Sequence, residues 1–269
     1  MKKRVLLAVV VLLVVTALVQ AQEELHGVAE FTYQSKYVWR GFDIYDDKSA
    51  IQGGVNVDLF GTGFGVSAMG HRANSGEFEN GERWDYTLYY MNALYPDEYY
   101  NTQFMVGWVY YNYPDHSQKT ADLQEAFALL SWPNLLSIEG LVPRYCLVKL
   151  WPNSSKSPIG SNSASTGTAS GFAHIFMLDY ALPVEGLLPD VPEQVLNLHS
   201  EFVFNDGVGP GGQNADHDWS NATFGITTDF ELAENVILTP GVHHQVTMDK
   251  SVNNDKDETW ATVSVKYSF

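Results

Sequence analysis

From Ala261 to Phe269 the chain alternates without a break. Ala261, Val263, Val265, Tyr267 and Phe269 are apolar, and Thr262, Ser264, Lys266 and Ser268 between them are polar. A period of two puts one set of side chains on each face of a β-strand. The edge strand of a soluble sandwich alternates in the same way. A strand ending on an aromatic residue also fits the closing strand of an outer-membrane β-barrel, whose apolar face meets lipid and whose polar face meets water. The period recurs upstream. In 50–60, Ile51, Val55, Val57 and Leu59 oppose Gln52, Asn56 and Asp58. In 195–205, Leu196, Leu198, Phe202 and Phe204 oppose Asn197, His199, Glu201 and Asn205; in 218–232, Ala222, Phe224, Ile226 and Phe230 oppose Asn221, Thr223, Thr227 and Asp229. Charge keeps to the polar side because Lys or Arg facing mid-membrane lipid costs about 2–4 kcal/mol, and Asp or Glu somewhat less.

The whole pattern predicts an all-β chain, a transmembrane antiparallel up-and-down barrel of twelve strands: 26–40, 50–60, 63–72, 82–95, 101–112, 121–132, 138–151, 169–181, 195–205, 218–232, 236–247 and 258–269. Ten or fourteen strands remain open if 138–151 is misread. The connections sort by side. Those expected outside, at 41–49, 73–81, 113–120, 152–168, 206–217 and 248–257, are long and polar, and the expected periplasmic turns, such as Gly61-Thr62 and Ala233–Asn235, are short. This sorting belongs to outer-membrane barrels. The segment Pro183–Glu193, with three prolines, is an expected exception. Two strands have no readable face: Arg144 and Lys149 conflict in parity within 138–151, as His174 and Asp179 do within 169–181.

The start of the chain agrees. Met1-Lys2-Lys3-Arg4 precedes an apolar run, Val5–Val19, and Val19-Gln20-Ala21 offers small residues for cleavage. The expectation is a secretory signal, 1–21, removed after Ala21 to leave the barrel, 22–269. That cleavage leaves 12 Lys+Arg (15 − 3) against 32 Asp+Glu, a formal charge of −20. Such an acidic chain does not seek nucleic acid. The aromatic content, 13%, suits interfacial girdles. A single cysteine, Cys146, excludes an internal disulfide and a Cys-cluster metal site.

Ser35-Lys36-Tyr37-Val38-Trp39-Arg40-Gly41, followed by Ala50-Ile51-Gln52-Gly53-Gly54, resembles the opening signature of the TorF family of porin-like proteins. The resemblance continues at Trp84–Tyr90, Tyr110–Pro114 and Asn253–Phe269, and is weakest across 138–194. It implies a barrel and a diffusion channel without fixing a substrate.

The expected function is therefore an outer-membrane porin-like channel for small hydrophilic solutes or ions. Twelve strands enclose a narrow bore, between the filled eight-stranded barrels and the open sixteen-stranded porins, and a loop could plug it. Parity nominates Lys36, Arg40, Gln52, Asn56, Asp58, His71, Arg83, Asp85, Asn197, His199, Glu201, Asp229, His243 and Lys266 as pore-lining. Arg40 and Asp85 are the pair expected to set a transverse field, although lumen charges must pair or stay wet in any case. The acidic excess favours cations. The alternative is a closed structural or adhesive barrel acting through its outer loops.

A lipid-modifying enzyme is the remote alternative: the His-x-Ser of barrel phospholipases is missing, since Ala73 follows His71 by two and Ser75 lies roughly 13 Å further along a strand. No catalytic residue, cofactor or metal site is expected. His243 and His244, being adjacent, face opposite ways, and Asp249–Asp255 lacks the glycine of a calcium loop. Expected partners are outer-membrane lipid, the barrel-assembly machinery engaging the last strand at Phe269, and the solutes themselves.

Overall fold

The alternating segments pair in chain order. The computed structural model describes residues 25–116, 122–153, 170–188, 191–208 and 217–269, and the expected signal, 1–21, lies outside them. Twelve antiparallel strands form a closed barrel: β1 (His26–Gln34), β2 (Ala50–Asp58), β3 (Phe64–Ala73), β4 (Arg83–Leu94), β5 (Thr102–Asn112), β6 (Leu123–Ser131), β7 (Leu141–Pro152), β8 (Ser170–Glu185), β9 (Glu193–Val208), β10 (Asp218–Thr228, resumed at Phe230–Ala233), β11 (Val236–Thr247) and β12 (Glu258–Ser268). β12 closes on β1 from Val28↔Ser268 to Gln34↔Thr262. Beyond that ladder, Gly27 and Phe269 exchange two backbone hydrogen bonds of 2.9 Å. Closure leaves the sheet without an edge strand, as spanning hydrocarbon requires.

Antiparallel partners share a face, so the register carries the assignment of faces from strand to strand. Phe31, Val55, Val66, Leu88, Ile226 and Val265 point outward and are exposed, forming an apolar outer surface. Buried residues lie instead inside the barrel and in the loops that fold into it, among them Tyr45 at 1% exposure and Gln245 at 0%.

The register also resolves the two unreadable strands. Arg144 pairs with Ser131 and Met177 and faces inward; Lys149 pairs with Ala126 and Phe172 and faces outward. There its ammonium sits 4.3 Å from the centre of the Phe172 ring, a cation–π contact that removes a charge from the lipid. Asp179 faces inward, and His174 faces outward, where its Nδ1 lies 2.7 Å from Tyr145 Oη.

Several boundaries differ from expectation. The first strand stops at Gln34 rather than 40, and 35–49 folds back as a loop. β8 runs through Pro183 to Glu185, and β9 starts at Glu193, so the supposed proline-rich exception is an ordinary connection, 186–192. Pro183 is tolerated because the β7 ladder ends at Leu141↔Tyr180, leaving that edge of β8 with no strand to bond. β9 continues to Val208, so the loop expected from 206 begins later. Most of the connection expected at 152–168, and parts of those at 113–120 and 206–217, lie outside the described residues.

Candidate functional site

The loop 35–49 joins β1 to β2 and turns into the barrel. At its tip Val38–Trp39 pairs with Phe42–Asp43, a two-residue hairpin with Arg40 and Gly41 at the turn. Both have positive φ, 53° and 90°. Glycine suits such a turn, and Asn or Asp is the usual non-glycine occupant. An arginine there is strained, so something must hold it. Glu125 of β6 does: Arg40 Nη2 donates to both of its carboxylate oxygens, at 2.9 and 2.8 Å. Burial disfavours the guanidinium charge, but the Glu125 carboxylate, with Tyr111, Glu201 and Cys146 adding to it, keeps its pKa above the ordinary arginine value.

Gly41 is needed for a second reason. A Cβ there would sit 2.8 Å from Asn221 Oδ1 on β10, while the Gly41 carbonyl accepts a 2.9 Å bond from Gln245 Nε2 on β11. The hairpin tip thus reaches across the lumen from β1–β2 to β6 on one side and β10–β11 on the other.

Aromatic packing fixes the base of the loop. The Arg83 guanidinium lies 4.1 Å from the Trp39 ring centre and 5.1 Å from that of Tyr111, and its Nη2 donates to Tyr37 Oη at 2.6 Å. Tyr37 stacks on His71 at 5.1 Å, and buried Tyr45 donates to the Gly81 carbonyl at 3.0 Å. Phe42 packs on Val252 from the connection 248–257. Lys36 bridges Asp47 and Glu258, the latter at 2.6 Å. Asp43, Asp47 and Glu258 come together there, and the Lys36 ammonium supplies the positive charge between the latter two.

Below the loop, the inward residues of β1–β4 form a hydrogen-bonded wall. Gln34 Nε2 donates to Gln52 Oε1 (2.7 Å), Gln52 Nε2 lies 2.8 Å from His71 Nδ1, His71 Nε2 lies 2.9 Å from Asp85, and Arg83 Nε donates to Asp85 at 2.7 Å. Asn56 accepts from Tyr89 Oη at 2.7 Å, and Asp58 caps the Gly61 amide at the turn end. On the far wall Asn197, His199 and Glu201 face inward along β9. His199 Nδ1 lies 2.5 Å from Asp179, which also accepts 2.9 Å from Arg144 Nη1. Trp260 faces inward on β12, with His243 stacked on it at 5.2 Å, while Lys266 also faces inward and pairs in register with Glu30. Asp229 sits at the break in β10 and accepts from Thr239 Oγ1.

The expected opposition of Arg40 and Asp85 is not what the structure forms: Arg40 is matched by Glu125, and Asp85 by Arg83 and His71. Lys36 and Arg40 belong to the loop, not to a strand, because the chain leaves the sheet at Ser35. Glu125 was missed for a physical reason. Its inward neighbours Leu123, Phe127 and Leu129 are apolar, so β6 shows no polar face by parity; the signal was the lone carboxylate itself, which cannot face lipid.

Arg40 Nη1 is buried and has no hydrogen-bond partner among the described residues. Beside it stands the β6–β9 wall, where inward Val148, Ile175 and Val203 are buried with Phe127, Cys146 and Met177. Toward the turn end the lumen opens into a cavity of about 540 Å³, lined by Met105, Leu129, Ser131, Arg144 and Asp179 among others.

No protein-family model matches the sequence, and no curated protein does. Among solved structures the chain is similar to the KdgM porin, with a TM-score of 0.53 at 11% identity, over 90% of this chain and 99% of that one. The KdgM porin in complex with disordered oligogalacturonate gives 0.52 at 11% identity over the same shares. An outer-membrane channel from Pseudomonas putida F1 gives 0.50 at 9% identity, over 91% and 95%. The likeness is one of fold, to small porin barrels, and does not by itself show the TorF family.

Proposed function

We propose that this chain is an outer-membrane channel for passive diffusion of small hydrophilic solutes and ions, narrowed at one end by the infolded loop 35–49. The observation that carries the reading is the hairpin tip at Arg40–Gly41, held inside the lumen by Glu125 and Gln245 and in close approach to Asn221. A purely structural barrel can fill its bore with wall side chains alone. Here the loop-end half is narrowed instead by a separate segment with a polar tip, above an open cavity. The fold shared with small porins and the motifs resembling the TorF family support the same reading. Pore-lining residues are then Gln52, Asn56, Asp58, His71, Arg83 and Asp85 on one wall, Asn197, His199, Glu201, Asp229, His243 and Lys266 on the other, with Lys36 and Arg40 from the loop.

Export by the signal 1–21, engagement of the barrel-assembly machinery by the last strand, and a lipid annulus around the apolar face complete the proposal. Enzymatic lipid chemistry has little to work with: Gln52 and Asp85 already engage both ring nitrogens of His71, and no serine hydrogen-bonds to it among the described residues. One observation favours the closed-barrel alternative, the burial of Val148, Ile175 and Val203 beside the loop tip. Single-channel recording of refolded 22–269 in a planar bilayer under a salt gradient separates the two. Discrete steps with a cation-preferring reversal potential are expected, and a correctly folded but silent barrel would overturn the channel.

A further inference from the structure

The cavity at the turn end of the lumen changes chemistry from one row of side chains to the next. Cross-strand register sets Gln103, Ser131 and Arg144 side by side on β5, β6 and β7, about 5 Å apart from strand to strand. The next inward row toward the loop end is Met91, Met105 and Leu129, on β4, β5 and β6. All six line the cavity of about 540 Å³, a size suited to a small organic ligand. None of the six is buried: Met91 is 46% exposed and the Arg144 side chain 31%, so a solute can reach both rows.

Arg144 spends Nη1 on Asp179 Oδ2 at 2.9 Å, and Asp179 Oδ1 is taken by His199 Nδ1 at 2.5 Å. Both partners lie on the β8–β9 side of Arg144. On its β6 side the guanidinium makes no further hydrogen bond among the described residues, and neither the Ser131 hydroxyl nor the Gln103 amide makes one. The carboxylate oxygens of the wall are therefore engaged, and the donors of Arg144 and Ser131 are left to the cavity. A guanidinium receives a carboxylate on two parallel N–H groups, and a hydroxyl one strand away can add a third bond. The methionine and leucine row accepts hydrocarbon, and methionine adapts to its shape. One polar row beside one apolar row matches a molecule with one carboxylate and a short hydrocarbon body. A sugar would lay hydroxyls against the apolar row, where they would lose water without gaining a partner.

We propose that this cavity binds small monocarboxylates with a short hydrocarbon body, the carboxylate on Arg144 and Ser131 and the chain along Met105 and Leu129. This inference rests on the channel reading above and deepens it by naming a solute class. The cation preference expected of the small-ion current stands beside it, because chloride gains nothing from the apolar row.

The test is saturable block of the potassium chloride current through the refolded barrel by acetate, butyrate and hexanoate, with butyramide as the neutral twin of butyrate. Hexanoate should block at about a tenth of the concentration that butyrate needs, roughly threefold for each added methylene. Acetate, which lacks the body, and butyramide, which lacks the charge, should not block in that range. Arg144→Gln should raise the half-blocking concentration of hexanoate about tenfold, the worth of one charge-assisted hydrogen bond. Block that ignores chain length, equal block by butyramide and butyrate, or hexanoate block unchanged by Arg144→Gln would overturn the assignment while leaving the channel standing. A folded barrel without current would overturn the channel, and the solute site with it. Should Arg144→Gln not fold, Leu129→Ser decides the matter: the dependence on chain length should flatten, and an unchanged dependence counts against the site.

Discussion

Arg40 concentrates the logic of this molecule in one residue. Its backbone occupies the left-handed region at φ 53°, which a non-glycine residue enters at a cost of about 1–3 kcal/mol. Asparagine would fit the turn better and would lack the reach to Glu125. The strain is therefore offset by the charge-assisted bonds the guanidinium makes there. Glu125→Gln tests this balance. Removing the carboxylate charge should weaken the closed position of the tip by about 2 kcal/mol, a factor of roughly thirty in its occupancy. In bilayer recordings, Glu125→Gln should show larger or more frequent conductance steps, with its heat-modifiable gel mobility retained. Steps indistinguishable from wild type would mean that Glu125 does not hold the tip. Alternation gave the right face for Gln52, His71, Arg83, Asp85, His199 and Lys266, because a strand has only two faces and lipid refuses one set. It could not give the partner of Arg40, because Arg40 is not in a strand and its partner lies 85 residues away in sequence.

At the scale of elements, the strand pattern was nearly all legible, and the first strand shows where legibility stops. Phe31, Tyr33, Tyr37 and Trp39 continue an aromatic alternation past Gln34, so periodicity alone extends the strand to 40. What ends it is tertiary: Tyr37 and Trp39 gain the Arg83 guanidinium and the Tyr45 and Tyr111 rings by leaving the sheet. The loop is an insert into a finished barrel, since β1 and β2 pair up to Gln34↔Ala50 without it. Replacing 36–47 by a short Gly/Ser linker should thus leave the barrel able to fold, read as retained heat-modifiable mobility; failure to fold would show that the loop is part of the barrel's core.

Within the sheet, inward glycines make room for rings of neighbouring strands. A Cβ on Gly107 would lie 2.6 Å from the Phe127 ring, and one on Gly225 2.7 Å from His243. Gly107→Val should lower stability by about 1–3 kcal/mol through overpacking, measured as a lower urea midpoint in detergent or vesicles. An unchanged midpoint would mean that Phe127 has room to move.

For the whole molecule, the division of labour is spatial. The outer surface is apolar. The lumen is polar along β1–β4, and at one end it is crossed by a loop that the β-barrel itself does not require. Twelve strands set a bore narrow enough for a single hairpin to span, which is why so short a segment can cross it. The composition shows the acidic character, but nothing in it shows that the motif Ser35–Gly41 folds inward, because that depends on where Glu125, Asn221 and Gln245 meet in space.

The most direct measurement compares single-channel conductance of refolded wild type with that of the variant whose residues 36–47 are replaced by the linker, under the same salt. A channel narrowed by its own loop should give small discrete steps in wild type and several-fold larger steps once the loop is removed. Silence from both folded proteins, or equal conductance from the two, would contradict a lumen that conducts past the Arg40 tip.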